Sequence, residues 1–254
     1  MNRSPATLDK PEQRDQTTSL RAGVWLVPDA GLERLVSKRE LDVLMEVASA
    51  RTYRKGDRIF RRGEPVDGFH VVLEGYVKIV RPGTVVGDQV VAVSGPGDLF
   101  GTDACSGFLE HRTDALALQG DTLVAAVTCD RLKEIAQRAP GVALALSQVL
   151  AARVTALEEQ LEQVMLPAQA RLARAFLALA QRFGLETEPG IFELSLDLKH
   201  HEIASLASVT RVSVSQALAS WRGLGIVQGT RGVYCIDKRK LVALLEVLEF
   251  EHLG

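Results

Sequence analysis

Cysteine is scarce in this sequence, with Cys105, Cys129 and Cys235 as the three thiols among 254 residues. They form no C-x-x-C pair and no even-numbered set, so the sequence excludes a disulfide scaffold. Widely spaced thiols of this kind are typical of a protein that works in the reducing cytoplasm, and a cytoplasmic location is therefore predicted.

Long apolar runs are also missing. No stretch of 18 apolar residues is present, which argues against a transmembrane span and a membrane partner. The first twenty residues, MNRSPATLDKPEQRDQTTSL, lack the apolar core of a signal peptide, so residues 1–30 are predicted to form a polar, mobile tail. The formal net charge is only −2, so the charge of the whole chain does not indicate a nucleic-acid partner. A basic segment within the chain could still do so.

The sequence does contain, from residue 31 to 140, a series of short β-rich segments that follow one helical stretch. Apolar residues spaced along SKRELDVLMEVA (37–48) predict an amphipathic helix. Downstream, short apolar runs alternate with glycine- and proline-containing turns; the runs are RIFR, FHVVL, YVKIV, QVVAV, RTDALAL and TLVAAV. Short strands at regular spacing predict an antiparallel sandwich or barrel rather than a parallel sheet.

Residues 141–166 predict one long helix with a narrow apolar stripe. The stripe has heptad spacing and consists of Ala143, Ser147, Leu150, Val154, Leu157, Leu161 and Val164. Such a stripe either packs on the β-rich domain of its own chain or pairs with the same helix of a second copy. We expect the pairing, with a seam from Leu150 to Val164. Pro167 then ends this helix and begins the next.

The segment SVTRVSVSQAL (208–218) alternates valine and serine like a half-buried strand, yet its surroundings predict a helix. The apolar residues on both sides fit two short helices joined by a tight turn near Ala207, which is helix-turn-helix spacing. Thr210 is placed to cap the second helix at its N-terminus. The outward residues of that helix are short or hydrogen-bonding side chains, which suit entry into a DNA major groove.

The region from 195 to 240 is locally basic. It contains seven Lys and Arg residues against three Asp and Glu residues, as contact with DNA phosphates requires. Two short β runs around Gly-Thr-Arg-Gly (229–232) predict a hairpin wing. The alternative is a helical pair that serves packing only, and the combination of helix pair, wing and charge favours DNA binding.

In this order, the parts resemble the cyclic-AMP receptor protein / fumarate-nitrate regulator family of bacterial transcription factors. The resemblance covers residues 35–245 and rests on RKGDRIFRRGEPVDGFHVVLEGYVKI, on GPGDLFG followed by HRTDA, on the long helix and on the winged helix-turn-helix. It implies an α+β chain with a jelly-roll-like antiparallel β-roll (31–140), a dimerisation helix (141–166) and a C-terminal winged helix-turn-helix domain (167–254). It also implies a homodimer on palindromic double-stranded DNA, with RNA polymerase as a further partner if the protein is an activator.

The resemblance assigns DNA contacts to the second helix of the motif and its surroundings. Arg211 matches the first residue of the family pattern Arg-Glu-Thr-Val-x-Arg and is expected to bind guanine through two hydrogen bonds. Val212 replaces the glutamate and would contact a thymine methyl group, and Gln216 replaces the second arginine and would pair with adenine. The expected DNA contacts are Lys199, His200, Thr210, Arg211, Val212, Ser213, Ser215, Gln216 and Arg231.

The effector pocket of the family is altered in this sequence. Arg112 and Thr113 stand where the family holds a phosphate, but Thr102 replaces the glutamate that accepts the ribose hydroxyl. The adenine-contacting Thr-Ser pair of the long helix is replaced by Ala156 and Leu157. The altered pocket comprises Gly101, Thr102, Asp103, Arg112, Thr113, Ala156 and Leu157. Cyclic AMP is therefore not expected as the effector, and no cofactor or metal is predicted.

Three alternatives concern the same region. Asp103 could swing in to replace the missing glutamate and accept a different nucleotide. Cys105 and His111 could bind haem or respond to oxidation, although a buried thiol and a surface histidine are the simpler interpretation. A β-roll followed by helices also suggests a cupin enzyme, whose metal site needs more histidines than His70 and His111 supply. We therefore expect that the protein is not an enzyme.

Overall fold

The computed structural model describes residues 32–83, 87–103, 107–230 and 232–253. The predicted N-terminal tail, Cys105 and the wing residue Arg231 lie outside these ranges. Within them the chain forms an antiparallel β-roll with flanking helices, one long helix, and a C-terminal domain of helices around a small sheet. The predicted α+β fold class is confirmed.

Two helices precede the β-roll, α1 (Leu32–Leu35) and α2 (Lys38–Val47). Ser37 caps α2, because its hydroxyl accepts a hydrogen bond from the Glu40 N–H while the Glu40 carboxylate accepts one from the Ser37 N–H. This reciprocal arrangement satisfies two backbone donors that a helix start leaves free. The second carboxylate oxygen of Glu40 accepts a bond from the Gly141 N–H at 2.7 Å, which ties α2 to the start of the long helix.

The β-roll consists, in the described ranges, of eight strands. They are β1 (Ser49–Tyr53), β2 (Arg58–Phe60), β3 (Gly68–Glu74), β4 (Val77–Arg81), β5 (Gln89–Ser94), β6 (Leu99–Phe100), β7 (Asp114–Ala117) and β8 (Thr122–Thr128). Antiparallel pairing arranges them in two sheets of order β1-β8-β3-β6 and β2-β7-β4-β5. Side chains of β3 alternate between faces, so Val72 packs with Phe60 and Phe100 between the sheets, while Phe69 and Val71 pack beneath the helices.

The six predicted apolar runs correspond to β2, β3, β4, β5, β7 and β8, whereas β1 and β6 have no signal in the sequence. β1 pairs with β8, with Ser49 opposite Ala126 and Tyr53 opposite Thr122. Its residues are exposed or half-buried, so it has no apolar alternation. β6 is two residues long and forms through pairing with β3. Partners distant in sequence therefore determine both strands.

Helix α3 (Cys129–Arg138) leads into α4 (Pro140–Gln163), the predicted long helix. Val142, Ala145 and Val149 of α4 are buried in an apolar cluster with residues of α1, α2 and α3. One face of α4 is thus part of the core of the β-roll domain.

The predicted heptad seam occupies another face of α4. In its second half Val154, Leu157 and Leu161 are 55%, 48% and 74% exposed. The stretch Pro140–Glu159 is also long and apolar enough to cross a membrane by length and composition alone, although polar residues interrupt it. An exposed apolar stripe on a helix whose other face is already buried indicates a further partner surface.

The C-terminal domain begins with α5 (Ala168–Phe183), which follows Pro167 as predicted. Its other elements are β9 (Leu185–Glu188), β10 (Ile191–Ser195), α6 (His200–Leu206), α7 (Arg211–Gly223), β11 (Val227–Thr230), β12 (Val233–Asp237) and α8 (Lys238–Leu253). The valine–serine stretch lies in α7 and is helical. β11 and β12 form the predicted wing and continue into a sheet of order β11-β12-β10-β9, although β9, β10 and α8 have no counterpart among the predicted elements.

The C-terminal domain packs directly on the β-roll. Ile203, Ala204 and Leu206 of α6 share an apolar cluster with Val90 and Val93 of β5. The first helix of the helix-turn-helix is therefore buried between its own domain and the β-roll.

Buried ion pairs cross the same junction. Lys78 of β4 pairs with Glu202 of α6, and Arg182 of α5 pairs with Asp98 in the turn before β6. Every partner is at most one-fifth exposed, so these charges are largely withdrawn from water. Such pairs require close geometry, because each charge would be costly to bury alone.

Candidate functional site

The turn between α6 and α7 is fixed by specific hydrogen bonds. The Thr210 hydroxyl accepts a bond from the Ser213 N–H at 3.0 Å and caps α7 as predicted. Ser208 has a φ of +53°, which allows the tight reversal. Arg171 of α5 donates to the Ser208 carbonyl at 2.8 Å and to the Ala207 carbonyl at 3.4 Å. Arg171, which carried no prediction, therefore sets the orientation of the motif on α5.

The outer face of α7 is open to solvent over its first turns. Arg211, Val212 and Gln216 are exposed and share one shallow surface, and Val212 is 62% exposed. The Ser215 hydroxyl donates to the Arg211 carbonyl at 3.2 Å and lies 3.1 Å from Nδ1 of His200. Arg211, Val212 and Gln216 are thus displayed for an external partner, whereas the Ser215 hydroxyl already has partners within the motif.

Lys199 and His200 are the two DNA contacts predicted at the start of α6, and they differ in charge. Lys199 is exposed, while His200 is half-buried. Burial first, and then the charges of Arg222 and Arg211, hold the pKa of His200 below its ordinary value. His200 is therefore neutral at neutral pH and adds no positive charge to this surface. Lys199 and Arg211 supply the charge beside it.

The wing is positioned by Arg222 near the C-terminal end of α7. Its Nε and Nη2 atoms donate to the Gly229 carbonyl at 3.2 and 3.1 Å. Gly229 has a φ of +84°, and a Cβ there would lie 2.4 Å from the Val233 carbonyl oxygen, so the hairpin requires glycine. Arg222 is one of the seven basic residues between 195 and 240, and its guanidinium couples the wing to the exposed helix.

A cavity of about 1050 Å³ lies between the β-roll, α4 and the helix-turn-helix. Six of the seven predicted pocket residues line it: Gly101, Thr102, Asp103, Arg112, Thr113 and Leu157. Ala156 is buried and is absent from the lining. Thr210 and Arg211 line the same cavity, so the predicted pocket and the start of α7 share one space.

Asp103 is the carboxylate in this cavity that could replace the family's glutamate. It already has a partner within the chain. Oδ2 of Asp103 lies 3.4 Å from Nδ1 of His111. His111 is buried rather than on the surface, with its ring stacked on Phe60 at 3.8 Å between centroids. Asp103 is therefore turned towards His111.

The second histidine of the β-roll, His70, is also buried. Among the described residues its Nδ1 has no hydrogen-bond partner, and its ring centroid lies 6.5 Å from that of His111. Burial lowers the pKa of His70 to about 4, so the ring is neutral at neutral pH. In the parts of the chain that the structure describes, no group of three His, Cys, Asp or Glu side chains is arranged to hold a metal ion.

Arg153 also lines the cavity, and the predicted pocket did not include it. Arg153 projects from α4 into the cavity and is half-buried. Burial lowers the pKa of its guanidinium, and the negative charge of Asp103 offsets this only in part. A single arginine between heptad positions resembles an ordinary solvated residue, so no pattern in the sequence marks it.

Two family descriptions match the chain. "Cyclic nucleotide-binding domain" matches residues 50–139, and "Crp-like helix-turn-helix domain" matches residues 170–244. The "CRP-like cAMP-activated global transcriptional regulator" of Mycobacterium tuberculosis is 29% identical over 202 residues, which cover 78% of this chain and 88% of that protein. The "Cyclic AMP receptor protein" of Thermus thermophilus is 29% identical over 216 residues, or 85% of this chain and 94% of that protein.

A solved structure extends the similarity to three dimensions. FixK2 from Bradyrhizobium japonicum has a TM-score of 0.64 and 26% identity, over 78% of this chain and 97% of that chain. The two matched domains lie on either side of the long helix, and the helix-turn-helix presents an exposed face with a wing beside it. The chain therefore belongs to the cyclic-AMP receptor protein / fumarate-nitrate regulator (CRP/FNR) family and is a DNA-binding transcriptional regulator of that type.

Proposed function

We propose that this regulator acts as a homodimer on a palindromic operator and binds it without cyclic AMP. The observation that carries the proposal is the exposed outer face of α7, where Arg211, Val212 and Gln216 stand free beside the wing. Side chains at the N-terminal end of a recognition helix are those that reach base edges in the major groove. Arg211 reads a guanine, Gln216 an adenine and Val212 a thymine methyl group.

The proposed dimer covers the seam on α4. Leu157 and Leu161 are too exposed for a helix that ends its contacts at its own β-roll, and pairing with the same face of a second copy buries both. A two-fold axis along α4 also doubles the recognition helices, at a spacing of roughly 34 Å that matches one DNA turn. Pairing is favoured over a membrane location for this stripe, because the opposite face of α4 is already packed in the β-roll domain.

Independence from cyclic AMP follows from the chemistry of the cavity. Thr102 offers no carboxylate to a ribose hydroxyl, and Asp103 faces His111. On α4, Leu157 supplies no hydroxyl to adenine and Ala156 lies outside the lining. A lost hydrogen bond costs a ligand about 0.5–1.5 kcal/mol when both groups are neutral and about 1.5–3 kcal/mol when one is charged, so several losses weaken the nucleotide by orders of magnitude. Two relatives are named for cyclic AMP, and this chain departs from the family pattern at these positions.

The second candidate is a regulator gated by another effector. It is favoured by the cavity itself, which touches both the β-roll residue Arg112 and the recognition-helix residue Arg211. A nucleotide held by Asp103 is disfavoured because His111 already engages that carboxylate. The redox and haem alternatives depend on Cys105, which lies outside the described residues.

The proposed function also implies where the protein works and which further partner it has. A DNA-binding regulator of this family works in the cytoplasm, and RNA polymerase is a partner if the protein activates transcription. A cupin-type enzyme is disfavoured, because its metal site needs more histidines than the β-roll supplies with His70 and His111. Regulation rather than catalysis is therefore the function that we propose.

A selection of genomic DNA fragments bound by the purified protein tests this function. The selection is performed in parallel with and without cyclic AMP, and with an Arg211→Ala variant as the matched control. We expect one palindromic sequence to be enriched under both conditions by the wild-type protein and not by the variant. Enrichment of no sequence, or of one sequence only when cyclic AMP is present, would contradict the proposal.

A further inference from the structure

The imidazole ring of His200 joins the start of α6 to the outer face of α7. Its Nδ1 atom lies 3.1 Å from the Ser215 hydroxyl, and that hydroxyl donates its hydrogen to the Arg211 carbonyl at 3.2 Å. A hydroxyl has one hydrogen to donate, so Nδ1 carries the hydrogen of the bond between His200 and Ser215. The neutral ring then has an unprotonated Nε2, which accepts a hydrogen bond but cannot donate one.

This ring lies beside the surface that we assign to DNA. His200 lines a hollow of about 420 Å³ between the start of α6, the end of α7 and the wing, together with Lys199, Arg222 and Thr230. Its partner Ser215 belongs to the shallow surface on the outer face of α7. A duplex that is read by α7 and flanked by the wing therefore brings its phosphates close to the ring.

The charged and titratable groups around the ring come from α7, the wing and the residues just before α6. They are Asp197, Lys199, Arg211, Arg222 and Tyr234. Burial first, and then the charges of the two arginines, hold the pKa of His200 below its ordinary value. Asp197 pairs with Lys55 of the β-roll, and burial raises the pKa of the Tyr234 hydroxyl, which stays neutral. A DNA phosphate brings negative charge to this surface, so the pKa of His200 rises when DNA binds.

We propose that operator binding takes up a proton on His200, so that this regulator binds DNA more tightly as the pH falls below neutrality. The inference rests on the DNA-binding function proposed above. Protonation of Nε2 turns an acceptor into a cationic donor for a phosphate oxygen, and it leaves the Nδ1–H bond to Ser215 in place. The link between α6 and α7 therefore persists while the surface gains a positive charge.

The two pKa values of His200 fix the direction of the pH dependence. In the free protein the pKa is below its ordinary value, and in the complex the phosphate raises it. The contribution of His200 to operator affinity is complete below the pKa of the free protein, and it is lost as the pH rises through the pKa of the complex. The proposed dimer contains this ring in each protomer, so both rings contribute to the change.

Operator titration between pH 6 and pH 8 at constant ionic strength tests the proposal. We expect the wild-type Kd to be at least about tenfold lower at pH 6, the scale of one charge-assisted contact. His200→Asn keeps an N–H donor for Ser215 but has no proton to gain, so it should bind weakly and equally at both pH values. His200→Arg has a permanent charge, so it should bind at pH 8 about as tightly as the wild type binds at pH 6.

His201→Gln is the matched control, because His201 is exposed at the next position of α6. This variant should keep the wild-type dependence on pH. The same pH dependence in the wild type and in His200→Asn would overturn the proposal, because the proton would then bind elsewhere.

Two further measurements follow the proton directly. Nitrogen NMR of the free protein at pH 8 should show His200 with Nδ1 protonated and Nε2 unprotonated, and the opposite tautomer would overturn the inference. In calorimetry of operator binding, performed in two buffers of different ionisation enthalpy, the wild type should take up protons that His200→Asn does not. Absence of operator binding at every pH rejects the proposed function, whereas tight wild-type binding that does not vary with pH rejects this inference alone.

Discussion

Lys78 of β4 and Glu202 of α6 are 124 positions apart in the sequence, and their Nζ and Oε1 atoms lie 2.5 Å apart at the junction of the two domains. The other oxygen of Glu202 accepts a bond from the Lys199 N–H at 2.8 Å, at the start of α6. One buried carboxylate therefore caps the first helix of the DNA-binding motif and links it to the β-roll.

Loss of the Lys78 charge should destabilise the protein. Lys78→Ala leaves the Glu202 carboxylate buried without its cation, which costs about 3 kcal/mol in free energy of unfolding. Urea unfolding followed by circular dichroism measures the difference. Lys55→Ala is the control, because Lys55 pairs with Asp197 where both side chains are about half exposed or more, and it should change little. Equal effects of the two substitutions would show that the buried pair does not hold the junction.

Charge placed in the seam should separate the proposed dimer. Leu157→Lys combined with Leu161→Lys puts two cations on the exposed apolar face of α4, where pairing would bury them unpaired. We expect a monomer in sedimentation velocity and sharply weakened operator binding. Glu158→Lys, on an exposed position of the same helix, should remain dimeric. A wild-type protein that sediments as a monomer at micromolar concentration yet binds a palindrome tightly contradicts the dimer.

Binding titrations should distinguish a residue that reads a base from a residue that contacts DNA phosphates. Arg211→Ala should cost about 1–3 kcal/mol on the specific site and relax the preference at one base pair. Arg231→Ala in the wing should weaken binding to all sequences about equally and lower the slope of log K against log salt by about one. Uniform weakening by both variants would show that Arg211 does not read a base.

The buried histidine of the β-roll should make stability depend on pH. The folded pKa of His70 is about 4, below its ordinary 6.5, because burial outweighs the attraction of Asp67, and the charge of His111 adds to the lowering. Between these two values the unfolded chain binds a proton that the folded chain does not, so stability is full above pH 6.5 and falls as the pH drops towards 4. The loss at pH 5 is about 2 kcal/mol.

Substitution of the ring measures that contribution. His70→Phe keeps an aromatic side chain beside Phe60 and Phe100 but has no proton to bind, so unfolding at pH 7.5 and pH 5 should differ less than in the wild type. His201→Gln, at an exposed position of α6, should retain the wild-type difference. The same loss at pH 5 in the His70 variant would assign it to other groups.

The elements with a local signal were predictable from the sequence. The helix-turn-helix has apolar spacing and a capping threonine, Thr210, within a few residues of each other, and the strands of the β-roll alternate between turns. β9 and β10 were not predictable, because most of their side chains are exposed or half-buried and partners in the wing determine their pairing. α8 lies after the last predicted motif and packs on α5.

The side chains that organise the site were harder to identify. Arg171 and Arg222 donate to backbone carbonyls of the turn and the wing, and a sequence motif does not record contacts with carbonyl groups. Arg153 lines a cavity formed where the β-roll, α4 and the helix-turn-helix meet, and no local pattern in the sequence records that meeting. Asp103 was predictable as a residue of the pocket, but its orientation towards His111 depends on how the loop folds.

The most direct test of the central claim is a titration of a fluorescent palindromic operator with the purified protein, with and without saturating cyclic AMP. At physiological salt we expect a Kd of about 10⁻⁸ M or lower without nucleotide, in the range of specific protein–DNA complexes. Cyclic AMP should change it by less than about twofold, because a ligand without differential affinity shifts no equilibrium. Operator binding that appears only with cyclic AMP, or tightens at least about tenfold with it, would contradict the account.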